Sequence, residues 1–377
     1  PVTLTTQTSI MPTVSVNLSS RSYDILVERG VLNRVGEFIK AAGLHGHAAL
    51  ITDANVSLHY SECVKNSLEL AGYEVSVHLI PPGETSKCMD QVQLLARSLI
   101  EHHHDRGSFV VALGGGVVGD IAGFVASIFY RGIPYVHIPT TIFAQVDGTI
   151  IGKTGVNEPE GKNLIGSCHQ PRLVLVDPDT LRTLPDRIFH AGFAEVIKHA
   201  AIRDAAMLGL LESMDPDDKN VDADLIARNA EIKGRIVVED ERETTGTRAL
   251  LNFGHTIGHA IEASAEYGTL LHGEAISLGL RAALHLSEKL ADLKPADSER
   301  LLALLAHWNL PLVLELDITL DDIHAALARD KKFIAGAIRF VLLKRPGEAF
   351  VSESVTRELI DEAIEHIRTP VQGGVPA

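Results

Sequence analysis

SFVVALGGGVVGDIAGF, residues 108–124, is the stretch on which the fold turns. A strand-like apolar run enters three consecutive glycines and leaves as a segment of helical spacing, 118–129. A strand-to-helix turn made of glycine lets backbone N–H groups approach an anion while the following helix presents its positive end. Gly114, Gly116 and Gly119 satisfy G-x-G-x-x-G. The acidic residue that a dinucleotide fingerprint places about 20 positions later is missing, because that region reads IPTT. Taken alone, the turn suits a tight structural corner as well as a phosphate cradle.

Working outward, HAALITD (47–53), YEVSVHLIP (73–81), YVHIPTT (135–141) and RLVLVDP (172–178) are further strand candidates, and 56–72 and 88–104 have helical spacing. Such alternation predicts an α/β layer with a mostly parallel sheet, whose ligands lie outside the carboxyl ends of the strands. After PDTLRTLPDR (178–187) the texture changes to long amphipathic stretches at 188–213, 221–241, 247–266, 273–292 and 297–307, so this half is expected to be helical. A small hairpin at AIRFVLL (337–343) and AFVSESV (349–355) and a final helix near 356–368 complete the reading. The expected organisation is a frayed N-terminal extension over 1–21, an α/β domain with a mostly parallel, Rossmann-like sheet over 22–182, and an all-α domain over 183–377. No low-complexity linker separates the halves, so they are expected to pack closely around a cleft.

The formal charge of −15 argues against a nucleic-acid surface and makes any gathered Lys and Arg informative. Residues 108–130 are the most apolar long stretch, but three glycines and Asp120 interrupt them, so no membrane span is expected. The polar, Thr/Ser-rich start does not read as a secretory signal. Cys63, Cys88 and Cys168 are few and scattered, which fits a reducing cytoplasm better than a disulfide framework.

Chemistry-bearing residues cluster in a few segments. Asp53 ends a strand candidate in TDANV, and PPGETSK (81–87) supplies Glu84 and Lys87. The polar, glycine-rich passage 139–166 is expected to put Asp147, Lys153, Lys162 and Asn163 into loops, where two lysines amid glycines suit a phosphate. GFAEVIKHAAI (192–202) sets Glu195, Lys198 and His199 within a turn of one another on an apolar, buried-looking helix, where ionised groups need partners and a metal is one. LLNFGHTIGHAIE (250–262) places His255 and His259 on one helical face, after Asn252 and before His272 of LLHGEA. Same-face histidines serve as metal ligands or as satisfied core residues. Lys233 and Arg248, taken singly, are expected at the surface.

With these segments in view, the sequence resembles the 3-dehydroquinate synthases, members of the sugar-phosphate cyclase superfamily. PPGETSK, GGGVVGDIAGF, RGIPYVHIPTT, QVD, GKTGVN, GKNLIG, AEVIKHA, DERETTGTRALLNFGHTIGHAIE, LHGEA and RDKK carry the resemblance, in the family's order, over about 22–345. It implies a dehydroquinate synthase-like fold and metal ligands at Glu195, His255 and His272, holding Zn2+ or Co2+, with His259 facing substrate. It further implies NAD+ at Asp53, Glu84, Lys87, Gly115, Gly116, Asp120, Thr140, Thr141, Lys162 and Thr183. Substrate contacts would fall on Asp147, Lys153, Asn163, Lys198, Lys233, Arg248, Asn252, His259 and Lys332, and Arg131 would reach the neighbouring site of a homodimer. The implied reaction takes 3-deoxy-D-arabino-heptulosonate 7-phosphate (DAHP) to 3-dehydroquinate and phosphate, through transient oxidation by NAD+, elimination, reduction and aldol closure.

The sequence departs from the family where residues 145–153 read QVDGTIIGK, since serines usually follow QVD and paired glycines precede the lysine; Gly148 and Ile151 differ. The alternatives are a cyclase acting on sedoheptulose 7-phosphate or glucose 6-phosphate, a metal-dependent polyol dehydrogenase, and a non-catalytic NAD-binding protein. Retention of Lys233, Arg248 and Asn252 favours the carboxylated substrate.

Overall fold

A computed structural model describes residues 11–240, 246–266, 268–329, 333–334 and 337–371. The first half holds nine strands: β1 (Thr13–Val16), β2 (Tyr23–Val27), β3 (Ala48–Asp53), β4 (Val75–Ile80), β5 (Phe109–Gly114), β6 (Tyr135–Pro139), β7 (Lys153–Glu158), β8 (Gly161–Cys168) and β9 (Leu173–Val176). Between them lie α1 (Val35–Ala41), α2 (Ala54–Leu70), α3 (Met89–Glu101), α4 (Gly116–Ile128) and α5 (Ile142–Val146).

Seven strands form one sheet in the order β1-β2-β9-β6-β5-β3-β4, parallel throughout except for β1 against β2. The run FVVALG is β5, in the interior of this sheet and buried along its whole length. Alternation divides its side chains. Phe109, Val111 and Leu113 join Ile39, Val64 and Leu68 of α1 and α2, whereas Val110 and Ala112 join Val92, Leu95, Ile121 and Val125 of α3 and α4. Each large apolar side chain so buried contributes about 1.5–3 kcal/mol, which is why the strand is apolar on both faces.

The second half is helical: α6 (Asp186–Arg203), α7 (Ala206–Ser213), α8 (Ala223–Glu239), α9 (His255–Ser264), α10 (His272–Leu290), α11 (Pro295–His307), α12 (Leu320–Arg329) and α13 (Arg357–Arg368). A closing hairpin pairs Phe340–Arg345 with Glu348–Ser352. Helix α6 is buried all round from Phe189 to Ile202, and its Phe193 stacks on Trp308 with ring centroids 3.5 Å apart. Sheet residues Val16, Ile25, Val174 and Val176 belong to the same core as Phe193, Ile197, Ile236 and Leu280, so the two halves share one apolar interior.

Glycine sets the helix spacing. A Cβ on Gly273 would fall 1.8 Å from the Ala191 carbonyl oxygen, and one on Gly279 would fall 1.9 Å from that of Gly254. Helix α10 therefore touches α6 and the start of α9 backbone to backbone, closer than any side-chain contact permits.

Four expectations change. The stretch expected to fray enters the sheet at Thr13, because Val16 is fully buried and Val14 packs on the same core, beside Gly234 of α8. Much of the passage expected as loops is α5 and the antiparallel hairpin β7–β8, so Lys153, Lys162 and Asn163 lie on strands. Its glycines disguise it: Cβ atoms on Gly155 and Gly166 would strike the facing backbone at 2.5 and 2.2 Å. Lys233 and Arg248 are buried, not superficial, at 4% and 6% exposure. Helix α12 had no counterpart in the reading of the sequence.

Candidate functional site

Five parallel strands end in one row, and each delivers named residues to it. Asp53 closes β3, where its side chain caps α2 by accepting from Asn55 N and Val56 N at 2.8 and 3.0 Å. Beyond β4, Lys87 is buried between Asp120 and Glu84, contacting the Asp120 carboxylate and standing 3.9 Å from Glu84. Burial raises the Asp120 carboxyl above its usual range despite Lys87. Glu84 also accepts from Asn157 of β7 at 2.8 Å. Beyond β5, Gly115 and Gly116 start α4, and a Cβ on Gly115 would come within 3.1 Å of Thr141. Beyond β6, Thr141 caps α5, and Thr140 Oγ1 is buried without a hydrogen-bond partner. Beyond β9, Thr183 meets the Tyr60 hydroxyl at 2.6 Å. Open helix-start amides, an orphaned hydroxyl and glycine-only clearance fit a bound phosphate-bearing nucleotide.

The opposite wall comes from α6, α8, α9 and α10. Glu195, Lys198 and His199 of α6 have 0–1% exposure. Asp147, at the end of α5, accepts from Lys198 Nζ at 2.8 Å, lies 3.1 Å from His199 Nε2, and contacts Lys233 Nζ, which also donates to the Gly148 carbonyl at 3.1 Å. Lys198 in turn contacts Glu195 Oε2. Burial opposes charge on both carboxyls, but the neighbouring ammonium groups outweigh it and hold Asp147 and Glu195 well below the carboxylate range. Burial, only partly offset by Asp147 and reinforced by the Lys198 charge, pulls Lys233 down to about 8.

Glu195 Oε1 is the decisive atom. It is buried without a hydrogen bond, and it lies 3.3 Å from both His255 Nε2 and His272 Nε2. The two Nδ1 atoms are already engaged, with the Phe253 carbonyl at 3.0 Å and Glu262 Oε2 at 3.1 Å. Donation from both Nδ1–H groups leaves two Nε2 lone pairs and a carboxylate oxygen converging on one point, the donor set of a catalytic zinc site. Burial works against charge on His272, but Glu195 and Glu262 overcome it and push the imidazole up to about 10, a mark of how strongly these carboxylates favour positive charge there. His259 stands beside them, its ring 5.0 Å from that of His255 and 5.6 Å from that of His272. A second acidic group, Asp147, Glu195 and His199, brings its donor atoms within 4.8 Å. Lys198 and Lys233 already supply the positive charge there, so it suits a cation less.

Arg248 and Asn252 lie on a short 3₁₀ turn leading into α9. Lys162 reaches across from β8 to Glu262 Oε1 at 2.7 Å, while Lys153 and Asn163 sit on the hairpin's two strands. Arg131 is exposed at the far end of α4, about 20 Å from Gly116 at 1.5 Å per residue, and joins nothing in this chain's own site. Lys332 lies outside the described residues. Glu262 and Asn229, whose Oδ1 accepts from His199 Nδ1 at 3.1 Å, escaped sequence reasoning. Glu262 had a signal, since it follows His255 by two helical turns and His259 by three residues on one face.

Residues 77–191 match the family model for the N-terminal part of 3-dehydroquinate synthase, and 192–333 match that for its C-terminal part. The chain belongs to the 3-dehydroquinate synthase family. The 3-dehydroquinate synthase of Pelobacter propionicus is 44% identical over 354 residues, covering 93% of this chain and 98% of that protein. That of a Picosynechococcus strain is 39% identical, with the same coverage. Among solved structures, 2-epi-5-epi-valiolone synthase from Streptomyces hygroscopicus, with NAD+ and Zn2+ bound, aligns with a TM-score of 0.82 at 30% identity, covering 93% of this chain and 98% of that one. A 2-deoxy-scyllo-inosose synthase complexed with carbaglucose-6-phosphate, NAD+ and Co2+ aligns at 0.81 and 25% identity, over 94% and 99%. Glycerol dehydrogenase from Schizosaccharomyces pombe, at 17% identity and a TM-score of 0.61, shares the fold alone. The backbone does not itself require glycine after QVD: a Cβ on Gly148 would make ordinary contacts of 3.4 Å with Phe143.

Proposed function

We propose that this chain converts DAHP to 3-dehydroquinate and phosphate, with a divalent metal at Glu195, His255 and His272 and NAD+ along the strand ends from Asp53 to Thr183. The observation that carries the reading is the unbonded Glu195 oxygen facing two oriented imidazole nitrogens. When bound, the metal polarises a substrate oxygen and the dinucleotide takes up and returns a hydride.

The chain's own residues supply the rest. Lys198 and Lys233 balance Asp147 and Glu195, so a dication leaves this group positive. A substrate bearing both a carboxylate and a phosphate provides the missing negative charge, and desolvated charge-assisted bonds to it are strong. Lys233, Arg248 and Asn252 seat the carboxylate. Lys153, Asn163, His259 and Lys332, with Arg131 from a second copy, clamp the phosphate, which removes the substrate proton as it departs. Asp147, 15% exposed and fixed by three cationic or donor groups, holds Lys198 and Lys233 in register. A homodimer would let the exposed Arg131 of one copy serve the other's site; three free cysteines suit a reducing cytoplasm, and no helix among the described residues is long and apolar enough to cross a membrane.

A second reading, cyclisation of a sugar phosphate without a carboxylate, is favoured by Gly148 and by the cyclases named above. Phosphate release with NAD+ and Zn2+ separates the two. DAHP turned over to dehydroquinate without net NADH supports the proposal; activity confined to sedoheptulose 7-phosphate or glucose 6-phosphate replaces it, and accumulating NADH points to a dehydrogenase.

A further inference from the structure

We propose that Glu262 is a positioning residue that ties metal affinity to the docking of the β7–β8 hairpin, through the chain Lys162–Glu262–His272. The inference rests on the reading that Glu195, His255 and His272 hold the metal. Glu262 spends one carboxylate oxygen on each neighbour: Oε1 accepts from Lys162 Nζ at 2.7 Å, and Oε2 accepts from His272 Nδ1 at 3.1 Å. Its side chain is 8% exposed, whereas Lys162 is 35% exposed on a hairpin of the other half of the molecule.

The two histidines differ in what orients them. His255 leans on the main-chain carbonyl of Phe253, which no substitution removes. His272 leans on a side chain that is itself anchored from across the cleft. An imidazole that donates Nδ1–H to a carboxylate keeps its Nε2 lone pair free and gains basicity as a ligand. A carboxylate with one partner removed is freer to turn, so loss of Lys162 loosens His272 at one remove. The metal is thus held more tightly when Lys162 of the hairpin engages Glu262 than when it does not.

The test is Zn2+ affinity of the metal-free full-length protein, read by competition with a chromogenic chelator, together with the visible spectrum of the Co2+ form. Glu262→Ala is expected to weaken Zn2+ by roughly 10–100-fold and Glu262→Gln, which keeps an acceptor and the volume, by about tenfold, with an altered Co2+ spectrum. Lys162→Met is expected to weaken Zn2+ several-fold alone and to add nothing to Glu262→Ala. Wild-type Zn2+ affinity and an unchanged Co2+ spectrum in Glu262→Gln, or strict additivity of the Lys162 and Glu262 changes, would overturn the proposal. His255→Ala is the control: retention of wild-type affinity there would sink the ligand set itself, whereas its loss beside an unaffected Glu262→Gln would sink only the role of Glu262. A purely structural role would lower the melting temperature of the metal-free protein and leave Zn2+ affinity alone.

Discussion

Histidines gather at both ends of the sheet, and the two gatherings behave oppositely. Near the amino ends of the strands, Ser76 Oγ lies 2.7 Å from His78 Nε2 and 2.6 Å from His104 Nε2, and His78 Nδ1 meets Ser98 Oγ at 2.9 Å. Burial pulls both imidazoles down to about 4. At the carboxyl ends, His255 and His272 face Glu195, and His272 is pushed up to about 10 by that residue and Glu262. Ring separations are similar, 5.8 Å for His78 with His104 and 5.7 Å for His255 with His272. Hydroxyl partners satisfy both nitrogens of His78 and one of His104 and leave no charge to balance, His104 Nδ1 being buried without a partner; a buried carboxylate with a spare oxygen creates a demand for positive charge.

The largest effects should therefore fall at the carboxylate-bearing cluster. His255→Ala is expected to remove the metal and cut kcat/KM by at least roughly a thousandfold, about 4 kcal/mol of transition-state stabilisation, whereas His259→Ala should keep the metal and slow turnover; metal analysis of the purified variants, with kinetics, compares them, and equal metal loss in both would erase the division of labour. Next, Gly273→Ala should force α10 from α6, costing about 1–3 kcal/mol by overpacking or more and weakening metal retention, measured by thermal melting and metal content together. Lys233→Met should weaken DAHP at least tenfold while changing NAD+ affinity little, as calorimetry would show; unchanged DAHP affinity removes the carboxylate seat. The smallest effects belong to the serine-bound cluster: His104→Gln should alter kcat/KM less than about twofold. There the readout is acid stability. These imidazoles titrate near 6.5 when unfolded and near 4 when folded, so stability is complete above about pH 6.5 and is lost as pH falls towards 4. Melting temperatures between pH 7.5 and 4.5 should fall less steeply in His104→Gln than in the wild type.

Much of this contrast was legible in the residues. The β5 run, the glycine turn and the helical texture after residue 187 announced the layered half and the helical half, because burial on both faces and 3.6-residue spacing leave marks in a single sequence. Edge strand β1 and hairpin β7–β8 did not: four residues of TVSV are too short to show periodicity, and the glycines in KTGVN and GKNLIG replace the alternating side chains that would have marked strands. At the site, Glu195 and His255 stood out as polar groups on apolar helices. Glu262 did not, because a glutamate near a helix end reads as a solvated face until His272 and Lys162 arrive from elsewhere in the chain. Lys233 and Arg248 were misplaced for the same reason, their burial being a property of what packs over them.

The main-chain contact between Gly273 and Ala191 has a consequence for ion choice. Because α10 rests directly on the α6 carbonyl, the backbones that carry His272 and Glu195 keep a fixed spacing, and adjustment to a guest is left to the side chains, which stand 3.3 Å apart. A smaller cation held between these two residues would have to be met by side-chain rotation, since the helices cannot draw together any further. Any size discrimination by such a site would fall to the side chains and to the groups that orient them, on a helix spacing that glycine fixes.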